Sequence, residues 1–172
     1  AFDLVMKGIN TVVQESFKME VLQIQLEAFT GGAHQAAAAL SYFSDVAANT
    51  PFDLGQVANA GKIMMAFGVE TKVAAQATKS LATVATATGG DLNNLARNLG
   101  QIAAQGQAYT RDLTQFAIQR IPIWNEMSEV TGKSVAELKK LATEGKISFD
   151  IVNQALQNLA AEGGEYAEIV KK

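Results

Sequence analysis

His34 is the only histidine in this sequence of 172 residues and the first candidate for chemistry. On a helix it would share a face with Ser41 and Asp45, which are the other side-chain types of a hydrolytic triad. From His34 to Asp45, however, a helix spans about 16 Å, far too long for a hydrogen-bonded triad. We therefore interpret His34 as a surface or cap residue and predict no catalytic residues around it.

Paired carboxylates are the second candidate, because two acids together can cleave a glycosidic bond. The acid of such a pair needs an apolar pocket that raises its pKa. None of the three glutamate pairs lies in an aromatic, cleft-like stretch, and solvated helix faces explain all of them. The pairs are Glu15 with Glu20, Glu126 with Glu129, and Glu162 with Glu165.

Metal and phosphate sites lack their usual residue types. The sequence has no cysteine, so it offers no thiolate, disulfide or Cys-based zinc site. Asp91-Leu92-Asn93-Asn94 lacks the later Gly and Glu of a calcium loop, and Asp91 is better explained as a helix cap. We predict that the chain is not an enzyme and that it binds no metal and no cofactor.

The charge pattern argues against nucleic acid as a partner. The net charge is −3, and the fourteen basic residues are scattered along the chain. Residues 134–156 have the size of a helix-turn-helix, but the second helix would start with the acidic and apolar Ser148-Phe149-Asp150. Since no run of about 18 apolar residues occurs either, we expect no specific nucleic acid and no membrane for this segment.

Composition predicts the fold class. Apolar residues make up 48% of the chain, much of it alanine, whereas aromatic residues make up only 7%. This mixture favours closely packed helices, so the predicted class is all-α. Charged residues are 18%, below the average of about 25%. The low charge indicates a surface covered by copies of the chain or by partners, and an Ala-rich monomer is the alternative.

Glycine and proline divide the sequence into nine or ten helices joined by short loops. We predict one domain over residues 1–172, as a piece of a longer chain. A long amphipathic helix leads over residues 1–29, where Val5, Ile9, Val13 and Phe17 recur every four residues. A strand over residues 21–28 is the alternative, because apolar residues also alternate there.

The stretch from Thr50 to Gly68 organises the middle of the chain. Pro51 has a fixed φ and pushes the preceding Thr50 out of the helical region. Asp53 can cap the helix that follows, and Gly68 can end it in a left-handed conformation. We expect Phe52 to be buried against two residues of that helix, Ile63 and Phe67.

Further local signals set the later helix boundaries. Thr110 is a candidate N-cap, Pro122 fits the first turn of the next helix, and Ser134 with Glu137 forms a capping box. Ser148 can cap the helix after that.

Small residues form a stripe over the helix that begins near residue 70. Ala74, Thr78 and Ala82 lie on one face, and Ala36–Ala39 forms a second small-residue patch. Such faces let helices approach closely, either within one chain or between subunits. We predict that copies of the chain associate through this stripe or through the Ala36–Ala39 patch, with Arg120 as a further possible subunit contact.

The order of several short segments resembles the globular part of tailed-phage tape measure proteins. The resemblance covers residues 26–166. The segments are 26–31, Thr50-Pro51-Phe52, Phe67-Gly68, 89–92, 100–102 with Gly106, 121–123, 131–134, 144–148 and 163–166. The structural positions it implies are Thr50, Pro51, Phe52, Asp53, Gly68, Gly90, Gln101, Gly106, Pro122, Gly132 and Gly145. One position departs from the family pattern: Arg120 stands where a glycine is expected, and a positive φ there would strain it.

The resemblance implies a structural protein of a phage tail that sets tail length, occupies the tail lumen or the tail tip and baseplate, and is released at DNA ejection. During assembly it would be in the host cytoplasm. Implied partners are further copies of the chain (a trimer, with a hexamer as the alternative), tail tube, tail tip or baseplate hub proteins, and tail assembly chaperones. A bacterial helical adaptor or secreted interaction domain is the rival interpretation.

Overall fold

Ten helices and two very short strands make up the described part of the chain. The structure, a computed structural model, describes residues 2–170. The side chains of residues 2–5 and 165 lie outside that description, as do the predictions made for Val5 and Glu165. The helices are α1 (Phe2–Thr30), α2 (Ala33–Ala48), α3 (Leu54–Ala66), α4 (Thr71–Thr88), α5 (Leu92–Gln105), α6 (Thr110–Ile118), α7 (Ile123–Thr131), α8 (Val135–Thr143), α9 (Phe149–Ala160) and α10 (Glu165–Val170). The strands are β1 (Gln107–Ala108) and β2 (Ile147–Ser148).

The all-α prediction is confirmed, since 79% of the chain is helical. Residues 21–28 belong to α1, so the strand alternative for this segment is wrong. Leu26 is fully buried in this part of α1. The helical spacing of such apolar residues decides against the alternation that suggested a strand.

Side-chain caps start the helices where the sequence predicts them. Asp53 Oδ1 accepts a hydrogen bond from the Gln56 N–H, and the Asp53 N–H donates to Gln56 Oε1, each at 2.9 Å. Asp91 Oδ1 accepts from the Asn94 N–H, also at 2.9 Å. Both carboxylates satisfy N–H groups that have no partner inside the first helical turn.

The Ser134 capping box is also present. The Ser134 N–H and hydroxyl both donate to Glu137 Oε2 at 2.8 Å. The hydrogen bond from the Ser134 hydroxyl lowers the pKa of the Glu137 carboxyl, because it stabilises the ionised form.

Two predicted boundaries are wrong by one residue. Tyr109, not Thr110, precedes the first turn of α6, and its N–H donates to Asp112 Oδ2 at 2.9 Å. The carboxylate of Asp112 thus satisfies the N–H one residue before the predicted cap. Pro122 lies just before α7 instead of in its first turn, because its ψ of 51° is not helical.

Phe43 fills the space where α2 crosses α3. Its ring is fully buried, and a Cβ built on Gly61 would lie 2.9 Å from ring atom Cε1. The expectation for Phe52 is wrong, since Phe52 is only half-buried at the margin of the core. Phe43 takes the central place because Gly61 leaves room for its ring. Phe67 lies against another glycine, Gly100 of α5.

The small-residue stripe of α4 lies inside the chain. Ala74, Thr78 and Ala82 are each 0% exposed, so they cannot form the predicted subunit contact on the folded chain. They lie in the core because α4 packs against five other helices, namely α2, α3, α5, α9 and α10. Thr78 needs no outside partner, since its hydroxyl donates to the Ala74 carbonyl at 2.7 Å. Of the second patch, residues 37 and 38 are exposed, and residues 36 and 39 are buried.

The two strands form a short antiparallel pair that the sequence did not predict. Gln107 pairs with Ser148, and Ala108 pairs with Ile147. Both Ala108 and Ile147 are fully buried, so the pairing satisfies backbone groups that water does not reach. The pair joins the loop after α5 to the loop after α8.

We expect Gly61→Ala to lower the free energy of unfolding by about 1–3 kcal/mol, because the added methyl meets the enclosed Phe43 ring. The measurement is the urea midpoint. Gly8→Ala is the matched control, since Gly8 is also helical but has no atom within 4 Å of its built Cβ. This control should not lower the midpoint, as Ala is favoured over Gly in helices. A Gly61→Ala protein as stable as the wild type would show that α2 and α3 do not need this close approach.

Candidate functional site

The residues considered for catalysis do not share a pocket. His34, Ser41 and Asp45 all lie exposed on α2. Of the paired glutamates with described side chains, Glu126 is half-buried and the others are exposed. No group of three or more side chains suited to hold a metal ion is present in the part of the chain that the structure describes.

A polar groove of about 880 Å³ runs between α5 and α6. Its two walls are helix faces, because the lining residues of each helix recur at spacings of three and four. The wall from α5 consists of Asn94, Arg97, Asn98 and Gln101. The wall from α6 consists of Arg111, Asp112, Gln115 and Ile118. The loop at residues 88–91 and the turn at residues 119–120 complete the lining.

Two long-range hydrogen bonds fix the walls relative to each other. Asn98 Nδ2 donates to the Asp112 carbonyl at 2.9 Å, and both residues are buried. Gln119 Oε1 accepts from the Asp91 N–H at 3.2 Å. The start of α5 therefore lies beside the end of α6, and the middle of α5 lies beside the start of α6. These two bonds therefore set the relative position of the two walls of the groove.

All three arginines of the chain line this groove, while the other eleven basic residues are lysines, and none of the lysines that the structure describes lines it. Arg97 donates to Asn94 Oδ1 at 3.0 Å. Arg111 Nε lies 3.9 Å from Asp112 Oδ1. Among the described side chains, neither Arg97 nor Arg120 forms an ion pair. The groove thus brings together three guanidinium groups whose charge is only partly balanced by acidic side chains of the described chain.

Arg120 ends α6 in a left-handed conformation with φ +64°, and it is the only described non-glycine residue with positive φ. Its N–H donates to the Ala117 carbonyl at 3.0 Å, and the next N–H, of Ile121, donates to the Phe116 carbonyl at 3.1 Å. These two bonds define the Schellman motif, in which this position is usually glycine. The strain anticipated for Arg120 is therefore present, at about 1–2 kcal/mol for a left-handed L-residue.

Tyr166 ties this strained turn to the last described helix. Its hydroxyl donates to the Arg120 carbonyl at 2.9 Å across 46 residues of sequence, and its side chain is buried. The bond restrains the Arg120 carbonyl, which belongs to the residue with the left-handed φ. Arg120 is consequently fixed at its backbone, although its side chain is exposed.

An apolar stripe on α1 is a second surface feature. Met6, Ile9, Val13, Phe17 and Ile24 lie on one helix face, because their spacings of three, four, four and seven residues follow the helical repeat. All five are exposed, with Val13 at 60% and Phe17 at 66%. This face points away from Leu26, by which α1 packs on the core. We call these five residues the α1 stripe.

Comparison with known families decides the identity. A family model described as tape measure protein matches residues 10–171, nearly the whole chain. The chain belongs to the tape measure protein family. This family is structural, and it gives the protein a role in the phage tail and a location with the virion. Searches of curated proteins and of solved structures give no match. No described helix of this tape measure domain combines the length and apolarity needed to cross a bilayer.

The segments that carried the resemblance fall into two groups in the tape measure structure. Gly90, Gln101 and Arg120 meet around the groove. The other group ends helices: Gly68, Gly106, Gly132 and Gly145 all have φ between +65° and +89°. At the corner before α3, Thr50 donates its hydroxyl to the Val46 carbonyl at 2.9 Å, and Pro51 is exposed.

Sequence reasoning singled out Arg120 but missed Arg97 and Arg111. A signal was present, because all three arginines of the tape measure chain fall between residues 97 and 120. The three arginines come together only because α5 and α6 pack side by side, and no local sequence pattern predicts that packing.

Tyr166→Phe should lower the free energy of unfolding by about 1 kcal/mol, because it removes the hydrogen bond to the Arg120 carbonyl. Tyr42→Phe is the control: Tyr42 is half-buried, and its hydroxyl has no hydrogen-bond partner among the described residues. That control should stay within about 0.5 kcal/mol of the wild type. Thermal or urea unfolding measures both. Equal stability of the two variants would mean that the turn at Arg120 does not depend on Tyr166.

Proposed function

We propose that this chain is the folded domain of a tape measure protein that occupies the tail lumen, sets tail length and leaves ahead of the DNA at infection. The observation that carries the proposal is the family match over residues 10–171. The same match favours the tail role over the rival adaptor or secreted domain.

The domain itself is a poor ruler. A ruler needs length in proportion to residue number, about 1.5 Å per residue of continuous helix. Helices α2–α10 instead fold back on one another around a shared buried cluster, with 6 to 18 residues in each. We therefore assign length setting to helical chain outside this domain, and assembly and anchoring in the tail to the domain.

Copies of the domain associate through the α1 stripe in this proposal. The small-residue stripe on α4 is excluded by its burial, and the α1 stripe is the large exposed apolar surface of the described residues. An apolar face on an otherwise exposed helix gains stability when a second copy covers it. A tail is rotationally symmetric, which favours three copies, with six as the alternative. Tail tube, tail tip or baseplate hub proteins and assembly chaperones are the other proposed partners.

Deleting the codons for residues 50–68 tests whether this segment belongs to a folded domain or to the helical part that sets tail length. The deletion removes α3, which packs against α1, α2, α4 and α5, so the core should open and tails should fail to assemble. Electron microscopy of the particles is the measurement. Complete tails shortened by about 28 Å, the proportional length of nineteen helical residues, would instead make this segment part of the ruler.

Val13→Glu should weaken self-association at least tenfold, because a carboxylate on the α1 stripe cannot be covered without losing its hydration. Sedimentation over a range of concentrations measures the change. Thr11→Glu is the matched control, since it adds the same charge to the opposite, exposed side of α1 and should leave association unchanged. A wild-type domain that stays monomeric at high concentration would refute the role given to the stripe.

A further inference from the structure

The proposed tail function does not involve the arginine-lined groove. The side chains that line the groove nevertheless indicate a class of ligand. We propose that the groove between α5 and α6 binds an extended, acidic peptide segment of another protein. The occupant presents carboxylates to Arg97, Arg111 and Arg120, and its main chain to the neighbouring amide side chains. This inference goes beyond the proposed tail function, and its test requires no tail.

The concentration of charge is the first argument. An acidic chain with a net charge of −3 places all of its arginines in one groove, and the lysines with described positions lie elsewhere. Arginine differs from lysine in its planar fork of donors, which matches a carboxylate with two parallel hydrogen bonds. Arg97 and Arg120 form no ion pair among the described side chains, so their forks are available to a ligand apart from the Arg97 N–H that donates to Asn94.

The two acids in the groove offset only part of the charge of its three arginines, and Asp112 does so closest to Arg111, at 3.9 Å. Asp112 is 2% exposed, and its Oδ2 already accepts the Tyr109 N–H at 2.9 Å. Asp91 Oδ1 accepts the Asn94 N–H at the start of α5. Both carboxylates are engaged with backbone groups of their own helix termini. The arginine side chains, by contrast, reach outward, since Arg97, Arg111 and Arg120 are all exposed.

The dimensions of the groove suit an extended peptide. Arg111 and Arg120 lie nine residues apart along α6, which corresponds to about 14 Å of helix. An extended peptide covers that distance with about four residues. Between the two ends, the amide of Gln115 offers both a donor and an acceptor to a main chain, and Gln101 offers the same groups near the Arg111 end.

The same lining argues against nucleic acid. No aromatic side chain lines the groove, so a single strand would find no stacking platform. Duplex binding needs basic residues spread along a phosphate backbone, and here no lysine within residues 2–170 lines the groove, in a chain of net negative charge. Carboxylates on a short peptide fit three guanidinium groups better than a continuous polyanion does.

The turn at Arg120 offers an informative set of variants. Arg120→Asn removes the charge while keeping a residue type that tolerates positive φ. Arg120→Lys keeps the charge and the backbone strain but loses the fork. Circular dichroism and the urea midpoint verify that each variant is folded before binding is measured.

The probe is fluorescein-labelled hexaglutamate, with labelled hexaglutamine as its uncharged match and a short labelled DNA duplex as the competing class. Fluorescence anisotropy at low and at physiological salt gives the dissociation constants. We expect hexaglutamate to bind and hexaglutamine to bind at least tenfold more weakly. Arg120→Asn and Arg97→Gln should each weaken hexaglutamate binding about tenfold, and Arg120→Lys should weaken it less than Arg120→Asn does.

Lys72→Gln is the matched control for net charge. Lys72 is exposed at the start of α4, sixteen residues or about 24 Å of helix from Thr88 in the groove lining, and its loss should leave binding unchanged. The proposal is overturned if hexaglutamate binds no better than hexaglutamine, or if Lys72→Gln weakens binding as much as the arginine variants. It is also overturned if the DNA duplex binds more tightly than hexaglutamate and depends on the same arginines, because the groove would then be a nucleic-acid site.

Discussion

Close approach of helices at positions without large side chains is the constraint on which this structure depends. Around α4 the chain packs five helices against a buried surface made mostly of small residues, in which Leu81 and Val84 are the larger side chains and the Thr78 hydroxyl bonds to its own helix. The ring of Phe43 occupies the space that Gly61 leaves, and the ring of Phe67 does the same at Gly100. Because these rings fill the space beside the glycines, the core tolerates little added volume there.

Interactions between residues close in sequence could be predicted from the sequence, whereas interactions between distant residues could not. Capping by Asp53, Asp91 and Ser134 was predictable because donor and acceptor lie three residues apart. The strand pair was not predictable, since it joins two dipeptides separated by a long stretch of chain. A local pattern also cannot predict whether Ala74 faces a neighbouring helix or a neighbouring subunit, because both environments favour the same small side chain.

The position of Arg120 lies between these cases. The departure from the glycine expected there was visible in the sequence, together with the strain it would bring. The grouping of Arg120 with Arg97 and Arg111 in one groove is seen only in the fold.

The two surfaces of the domain also differ in chemistry. The α1 stripe is apolar and lies along one helix, whereas the groove is polar and requires two helices held in register by Asn98 and Gln119.

The bond from Tyr166 to the Arg120 carbonyl makes the groove sensitive to mechanical load. A force that pulls on α10 reaches Tyr166 directly, and from there it acts on the turn that carries one arginine of the groove. A helix under tension resists through several backbone bonds at once, whereas α10 is joined to this turn by one side-chain hydrogen bond, beside its packing on α4 and α9. Traction that separates α10 from α4 and α9 would therefore act on the turn before it unravels α6, and the shape of the groove would depend on the tension in the chain.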